Sequence, residues 1–143
     1  MAFKTIIVAL SNSHSDLDLV IQALTEFNLT SKTRVILSHV VATEKSDLDR
    51  EANQPQPEGK NISVGEFEKQ LKVYREKLPC STEVEVVTGD PTEEIVRLSN
   101  IYNADLIVIG SRGLKGINRI LQGSISSQVV AEANCSVFVV KQR

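Results

Sequence analysis

The chain has 143 residues, of which 41% are apolar and 24% are charged, and its formal net charge is −2. This length fits one domain with a substantial hydrophobic core, and the composition is that of an ordinary globular protein. The small net charge disfavours a general nucleic-acid binder or a membrane-surface protein. The first apolar run, residues 6–10, is far too short for a signal peptide or a membrane span, so we expect a cytoplasmic protein without a membrane partner.

Five apolar runs without regular polar alternation recur along the sequence. Runs of this kind are typical of parallel strands that are covered on both faces. The predicted strands are residues 3–10, 34–41, 83–88, 104–109 and 136–140.

Apolar residues at helical spacing fill the four gaps between these strands. Ser13 and Ser124 are suited to cap the first and fourth helices, and Pro91 suits the first turn of the third. Strict alternation of five strands with four helices predicts a parallel sheet with right-handed crossovers. The apolar positions are Leu17, Val20, Ile21, Leu24 and Phe27 in the first helix, Val64, Phe67, Leu71, Tyr74 and Leu78 in the second, Ile95, Leu98 and Tyr102 in the third, and Ile125, Val129, Val130 and Ala133 in the fourth.

Residues 42–61 separate the second strand from the second helix. They are rich in charge, contain two prolines and show no periodicity. We expect a flexible surface loop, which serves either as a plain connection or as a lid over a ligand site.

Residues 111–123 connect the fourth strand to the fourth helix, and thirteen residues is unusually long for a connection that normally needs about 2 to 6. Gly110, Gly113 and Gly123 allow the backbone to approach a ligand closely. The helix start at Ser124 offers unpaired N–H groups and a partial positive charge to an anion. The pattern therefore predicts a phosphate-binding loop.

The spacing of Gly110, Gly113 and Gly123 before Ser124 resembles the nucleotide-binding signature of the ATP-binding branch of the universal stress protein family. Other segments resemble the same family, so that the resemblance covers nearly the whole chain. These segments are residues 4–10, 37–41, 89–96 and 133–140.

The resemblance implies one universal stress protein domain, residues 1–143, with the α/β fold of the adenine nucleotide α-hydrolases. This fold is a single doubly wound, five-stranded parallel sheet in the order 3-2-1-4-5 with four helices. Ligands of such sheets bind outside the carboxyl ends of the strands, where the winding reverses between strands one and four. The loop that begins at Ser11 is then expected to meet the loop that begins at Gly110.

The resemblance also implies a site for ATP, with Mg²⁺ or a different adenine nucleotide left open. The adenine is expected beside Ala9, Leu10 and Val40, with the Val40 backbone facing the edge of the base. Arg112 is expected to face the phosphates, and no catalytic residue or metal ligand is implied. The complete set of nucleotide-binding positions is Ala9, Leu10, Ser11, Val40, Ile109, Gly110, Arg112, Gly113, Gly123, Ser124, Ile125 and Ser126.

Ser11 departs from the family pattern, because nucleotide-binding members usually carry an aspartate after the first strand. A serine hydroxyl can still bond a ribose hydroxyl, but a neutral hydrogen bond contributes about 0.5 to 1.5 kcal/mol, against about 1.5 to 3 for a charged one. The preferred nucleotide is therefore open, whereas the expectation of phosphate binding is unaffected.

Several polar residues outside the glycine loop have ordinary structural interpretations. Cys80 and Cys135 are too few for a disulfide framework, and we expect buried, inert thiols. We expect His39 to be packed and hydrogen-bonded. Asp90 and Glu93 suit the cap and the first turn of the third helix.

These observations favour an ATP-binding regulatory module of the stress response. Hydrolysis needs a positioned water and a base, and no obvious carboxylate or histidine adjoins the glycine loop, so we expect at most a slow ATPase. The alternatives are an adenine-nucleotide hydrolase or adenylating enzyme of the same fold, and a nucleotide-free dimeric interaction module. We expect a homodimer that pairs through the final strand, at Val137, Phe138, Val139 and Val140.

Overall fold

The computed structural model describes residues 3–11, 14–41, 64–111 and 125–141. Within these residues it contains five strands and four helices in strict alternation. In chain order the elements are β1 (Thr5–Ala9), α1 (His14–Leu24), β2 (Arg34–Val41), α2 (Val64–Lys77), β3 (Ser81–Thr88), α3 (Pro91–Ile101), β4 (Leu106–Gly110), α4 (Ile125–Glu132) and β5 (Ser136–Val140).

The strands form one parallel sheet in the order β3-β2-β1-β4-β5, which confirms the predicted topology. Helices α1 and α2 cover one face of the sheet, because their apolar residues join the core layer that contains Ile6 and Val8. Helices α3 and α4 cover the other face, in the layer that contains Ile7 and Ala9. The sheet is therefore doubly wound.

The two core layers explain why β1 is apolar without alternation. Successive side chains of a strand point to opposite faces. Ile6 and Val8 are buried on the α1 and α2 side, while Ile7 and Ala9 are buried on the α3 and α4 side. Every position of the strand interior thus faces a hydrophobic layer.

The observed elements differ from the predicted ones mainly at their ends. Strand β4 begins at Leu106, and just before it the Asp105 carboxylate accepts from the N–H groups of Lys4 and Thr5, each at 3.0 Å. In α4, Val130 is 52% exposed although its neighbour Val129 is fully buried. Adjacent helical residues lie about 100° apart around the axis, so Val130 lies outside the face that meets the sheet.

The predicted helix cap at Asp90 is confirmed. Its carboxylate accepts a hydrogen bond from the Glu93 N–H at 3.0 Å, and Pro91 occupies the first position of α3. The cap thus satisfies one N–H group of this helix start, and the acidic residues of the first turn interact favourably with the helix dipole.

Cys80 and Cys135 are free thiols, as predicted, but each is half-buried rather than buried. Partial burial raises the pKa of both thiols, which keeps them in the less reactive protonated form. No helix in the described part of the chain is long and apolar enough to span a membrane.

Candidate functional site

The carboxyl ends of β1 and β4 lie side by side at the centre of the sheet, with Ala9 paired to Ile109. Beyond these ends the chain leaves toward opposite faces, since α1 follows β1 on one face and α4 follows β4 on the other. Adjacent strands whose connections diverge leave a crevice between them. This is the predicted switch point, and the chain leaves the sheet here just after the paired residues Ala9 and Ile109.

The apolar wall of this crevice comes from one core layer. Ala9, Val40 and Ile109 are buried in the layer under α3 and α4, and Ile125 packs against it. The side chain of Leu10 belongs instead to the layer under α1 and α2. Leu10 therefore adjoins the crevice with its backbone alone.

The backbone of Val40 is directed toward this crevice. The Leu10 N–H donates to the Ser38 carbonyl at 2.8 Å, and the Gly89 N–H donates to the Val41 carbonyl at 2.9 Å. Because alternate residues of a parallel strand turn both backbone groups to the same neighbour, Ser38 faces β1 and Val41 faces β3. The backbone N–H and C=O of Val40 therefore face the β1 side. They lie beyond the last residue pair between β1 and β2, which is Ala9 with Ser38.

Two of the helices that begin at this edge of the sheet, α3 and α4, are joined by a hydrogen bond. Helices α3 and α4 each start where the chain returns from a strand's carboxyl end. The hydroxyl of Thr92, in the first turn of α3, donates to Oε1 of Gln128 in α4 at 2.8 Å. The contact joins the first turn of α3 to α4, and the amino ends of helices carry a partial positive charge. Sequence reasoning missed this link, although the position of Thr92 after Pro91 signalled a residue at that edge.

Two hydroxyl residues of the predicted site, Ser11 and Ser126, are both buried. Each residue also has an interaction partner. The remaining predicted site residues, Arg112, Gly113, Gly123 and Ser124, lie outside the described residues, as does the expected loop at 42–61.

His39 lies at the carboxyl end of β2 and is only 7% exposed. Its Nδ1 is 2.8 Å from the Leu10 carbonyl, and its ring meets the Phe67 ring edge-on with 4.6 Å between centroids. A carbonyl only accepts, so Nδ1 carries the proton and donates. The prediction of a packed, hydrogen-bonded histidine is confirmed. Burial lowers the pKa of His39, and the Leu10 hydrogen bond opposes this shift only partly.

We expect the free energy of unfolding to fall as the pH is lowered through about 6.5, the pKa of an unperturbed histidine. The unfolded chain takes up a proton there, whereas folded His39 takes it up at lower pH. The stability due to neutral His39 is thus complete above the unfolded pKa and is lost as the pH falls toward the folded pKa. Urea unfolding between pH 5 and 7.5 measures it. A His39→Asn variant should show a weaker pH dependence, and an unchanged profile would contradict the assignment.

One charged cluster, at the start of β2, lies away from the crevice. Arg34 at the start of β2 pairs with Glu83 at 2.6 Å and stacks over the Tyr102 ring, whose hydroxyl donates to Glu85. Arg34 is at the opposite edge of the sheet from the carboxyl ends. Among the described residues, no three His, Cys, Asp or Glu side chains converge as a metal site.

Comparison with known proteins identifies the family of this chain. The model described as the universal stress protein family matches residues 2–141. The chain belongs to the universal stress protein family.

Curated relatives include Universal stress protein MJ0531 of Methanocaldococcus jannaschii, 39% identical over 74 residues, which is 52% of this chain and 44% of the relative. Universal stress protein MJ0577 of the same organism is 33% identical over 100 residues, 59% of this chain and 62% of the relative. The matched regions therefore span about half the length of these relatives.

Solved structures confirm the universal stress protein fold. The structure of MJ0577 aligns with all of this chain and 99% of its own, with a TM-score of 0.76 and 25% identity. A universal stress protein in complex with cAMP aligns over 98% of both chains, with a TM-score of 0.68 and 23% identity. An Arabidopsis thaliana family member with AMP bound aligns over 98% of this chain and 92% of its own, with a TM-score of 0.67 and 20% identity.

Proposed function

We propose that this universal stress protein binds an adenine nucleotide in the crevice between β1 and β4. The observation that carries the proposal is the direction of the Val40 backbone, whose N–H and C=O face the crevice beyond the end of the β1 ladder. Adenine presents a ring nitrogen acceptor beside an amino donor. One residue that offers a donor and an acceptor side by side complements that edge, while Ala9 and Ile109 supply the apolar wall that a base requires.

The phosphates are assigned to the start of α4 and to the glycine loop before it. Helix α4 begins at the crevice edge, and its dipole favours an anion there. Gly110, Gly113 and Gly123 provide backbone N–H groups, and Arg112 provides a cation. The cAMP and AMP found with two structural neighbours support an adenine nucleotide as the ligand class. ATP, alone or with Mg²⁺, is the specific ligand proposed.

The proposed role is regulatory binding in the cytoplasm rather than efficient catalysis. Phosphoryl transfer needs a base that positions the attacking water. The Asp90 carboxylate, which lies at the same edge, is engaged as the cap of α3. His39 turns its proton-bearing nitrogen to the Leu10 carbonyl. Both groups thus have structural partners, which supports a module that senses nucleotide and presents its state to partners.

The proposal is tested by identifying what the freshly purified protein carries and what it binds. Mass spectrometry of released small molecules should find an adenine nucleotide. Calorimetry with ATP, AMP, cAMP and GTP, each with and without Mg²⁺, should show binding of adenine nucleotides and at least tenfold weaker binding of GTP, whose base edge inverts the donor and acceptor pattern. Adenosine serves as the control for the phosphate contribution. Failure of every adenine nucleotide to bind at millimolar concentration would reject the proposal.

We further propose a homodimer in which β5 pairs with the β5 of a second copy, through Val137, Phe138, Val139 and Val140. The strand ends the sheet on one side, so in the described part of the chain one of its backbone edges has no neighbouring strand. Phe138 is 44% exposed and packs edge-on against Phe27, with 5.1 Å between ring centroids. Self-pairing would cover this apolar edge and close at two copies.

A further inference from the structure

The backbone hydrogen bonds between β1 and β2 end one bond earlier than they would in a regular parallel ladder. The Leu10 N–H donates to the Ser38 carbonyl, so both backbone groups of Leu10 face β2. In a regular parallel ladder the Val40 N–H would then donate to the Leu10 carbonyl. That bond is not formed, and the last pair in the described register is Ala9 with Ser38.

The Leu10 carbonyl accepts from His39 instead. The imidazole Nδ1 lies 2.8 Å from this oxygen, and the ring is held on the α2 side of the sheet by its contact with Phe67. Phe67 is fully buried, so this contact belongs to the rigid core. A carbonyl oxygen can accept two hydrogen bonds, yet here the imidazole donates to it and the Val40 N–H does not.

We propose that His39 is a positioning residue that keeps the Val40 N–H available to the nucleotide base. Its imidazole satisfies the buried Leu10 carbonyl, which would otherwise capture the Val40 N–H and close the crevice by one ladder bond. The inference rests on the proposed function for its biological meaning, but the hydrogen bond from His39 to the Leu10 carbonyl is present without any ligand.

When the imidazole is removed, we expect the Leu10 carbonyl to accept a hydrogen bond from the Val40 N–H in place of the one from His39. A buried carbonyl without a donor is costly, so the nearest backbone N–H replaces a donor that is removed. The Val40 N–H is the donor that the register supplies. Once paired to Leu10, it no longer donates to a ligand.

The test compares His39→Leu with His39→Asn in the full chain. Leucine fills the space beside Phe67 but donates nothing, whereas the asparagine amide places a donor close to the position of Nδ1. We expect His39→Leu to slow hydrogen exchange of the Val40 amide in nucleotide-free protein and to weaken ATP binding about tenfold, the effect of one hydrogen bond. His39→Asn should retain both wild-type values. If His39→Leu does not fold, His39→Gln, whose amide lies near the Nε2 position, replaces it.

Phe67→Leu is the matched control, because it weakens the packing around the imidazole but leaves the Nδ1 donor in place. It should lower stability without slowing Val40 exchange or weakening ATP binding. The inference is overturned if the Val40 amide exchanges at the same rate in the wild type and in His39→Leu. It is also overturned if exchange is slower in His39→Leu but the two proteins bind ATP with equal affinity. Absence of ATP binding by the wild type rejects ATP as the proposed ligand, whereas the exchange comparison in nucleotide-free protein still decides what His39 does.

Discussion

Gly123→Val is expected to abolish adenine nucleotide binding, with a loss of at least a hundredfold in affinity. In the proposed site this glycine, two residues before the start of α4 in the sequence, is where the backbone approaches the phosphates closely. A branched side chain there holds the phosphates away from the N–H groups. Loss of two charge-assisted hydrogen bonds, at about 1.5 to 3 kcal/mol each, corresponds to a hundredfold or more. Titration calorimetry of wild type and variant with ATP measures the effect.

The same substitution at Gly65 provides the control. Gly65 is the second residue of α2, and a Cβ added there meets no atom of the described residues within 4 Å. Gly65→Val should therefore bind ATP like the wild type. Far-ultraviolet circular dichroism must show that both variants are folded. A folded Gly123→Val protein that binds ATP with unchanged affinity would place the phosphates elsewhere.

The fold was predictable because composition and periodicity agree along the chain. Apolar runs without alternation match strands that bury both faces, and β1 does so at every interior position. The runs alone do not say which strands are neighbours. The order 3-2-1-4-5 came from the resemblance to the universal stress proteins, and the register of the structure agrees with it.

Two features of the candidate site were not predictable from pattern. Leu10 and Ala9 are adjacent and both apolar, yet their side chains enter different core layers, so only the latter lines the crevice with its side chain. The hydrogen bond from His39 reaches a backbone carbonyl 29 residues away in the chain. Any residue type supplies such a carbonyl, so the sequence carries no mark of it.

The two edges of the sheet differ in how they are protected. β3 carries Glu83 and Glu85 near its centre, and charges on an edge strand discourage pairing with another chain. The sequence of β5, from Ser136 to Val140, contains no charge and no proline. This contrast favours β5 as the edge that pairs in a dimer.

The backbone directions at the two edges of the sheet show at which positions a proline removes an outward-facing N–H. The Ser111 N–H donates to the Val140 carbonyl, so Val140 faces β4 and Val139, one residue earlier, faces the open edge. Val139→Pro thus removes a donor from the edge without removing a bond to β4. The Gly89 N–H donates to the Val41 carbonyl, so the odd-numbered residues of β3 direct their backbone groups to β2. The backbone groups of Val84 therefore face outward. Val84→Pro therefore makes the same change at the opposite edge.

Val139→Pro is expected to convert a dimer into a monomer, while Val84→Pro leaves the dimer intact. Pairing two copies of β5 aligns the outward N–H and C=O groups of both strands, and a proline in each copy deletes a donor and forces its ring into the shared ladder. Sedimentation at micromolar concentration should give twice the 15.7 kDa chain mass for wild type and Val84→Pro, and the single chain mass for Val139→Pro. A wild-type mass near that of one chain would reject the dimer. Equal dissociation in both variants would show that lost stability, and not the β5 edge, controls assembly.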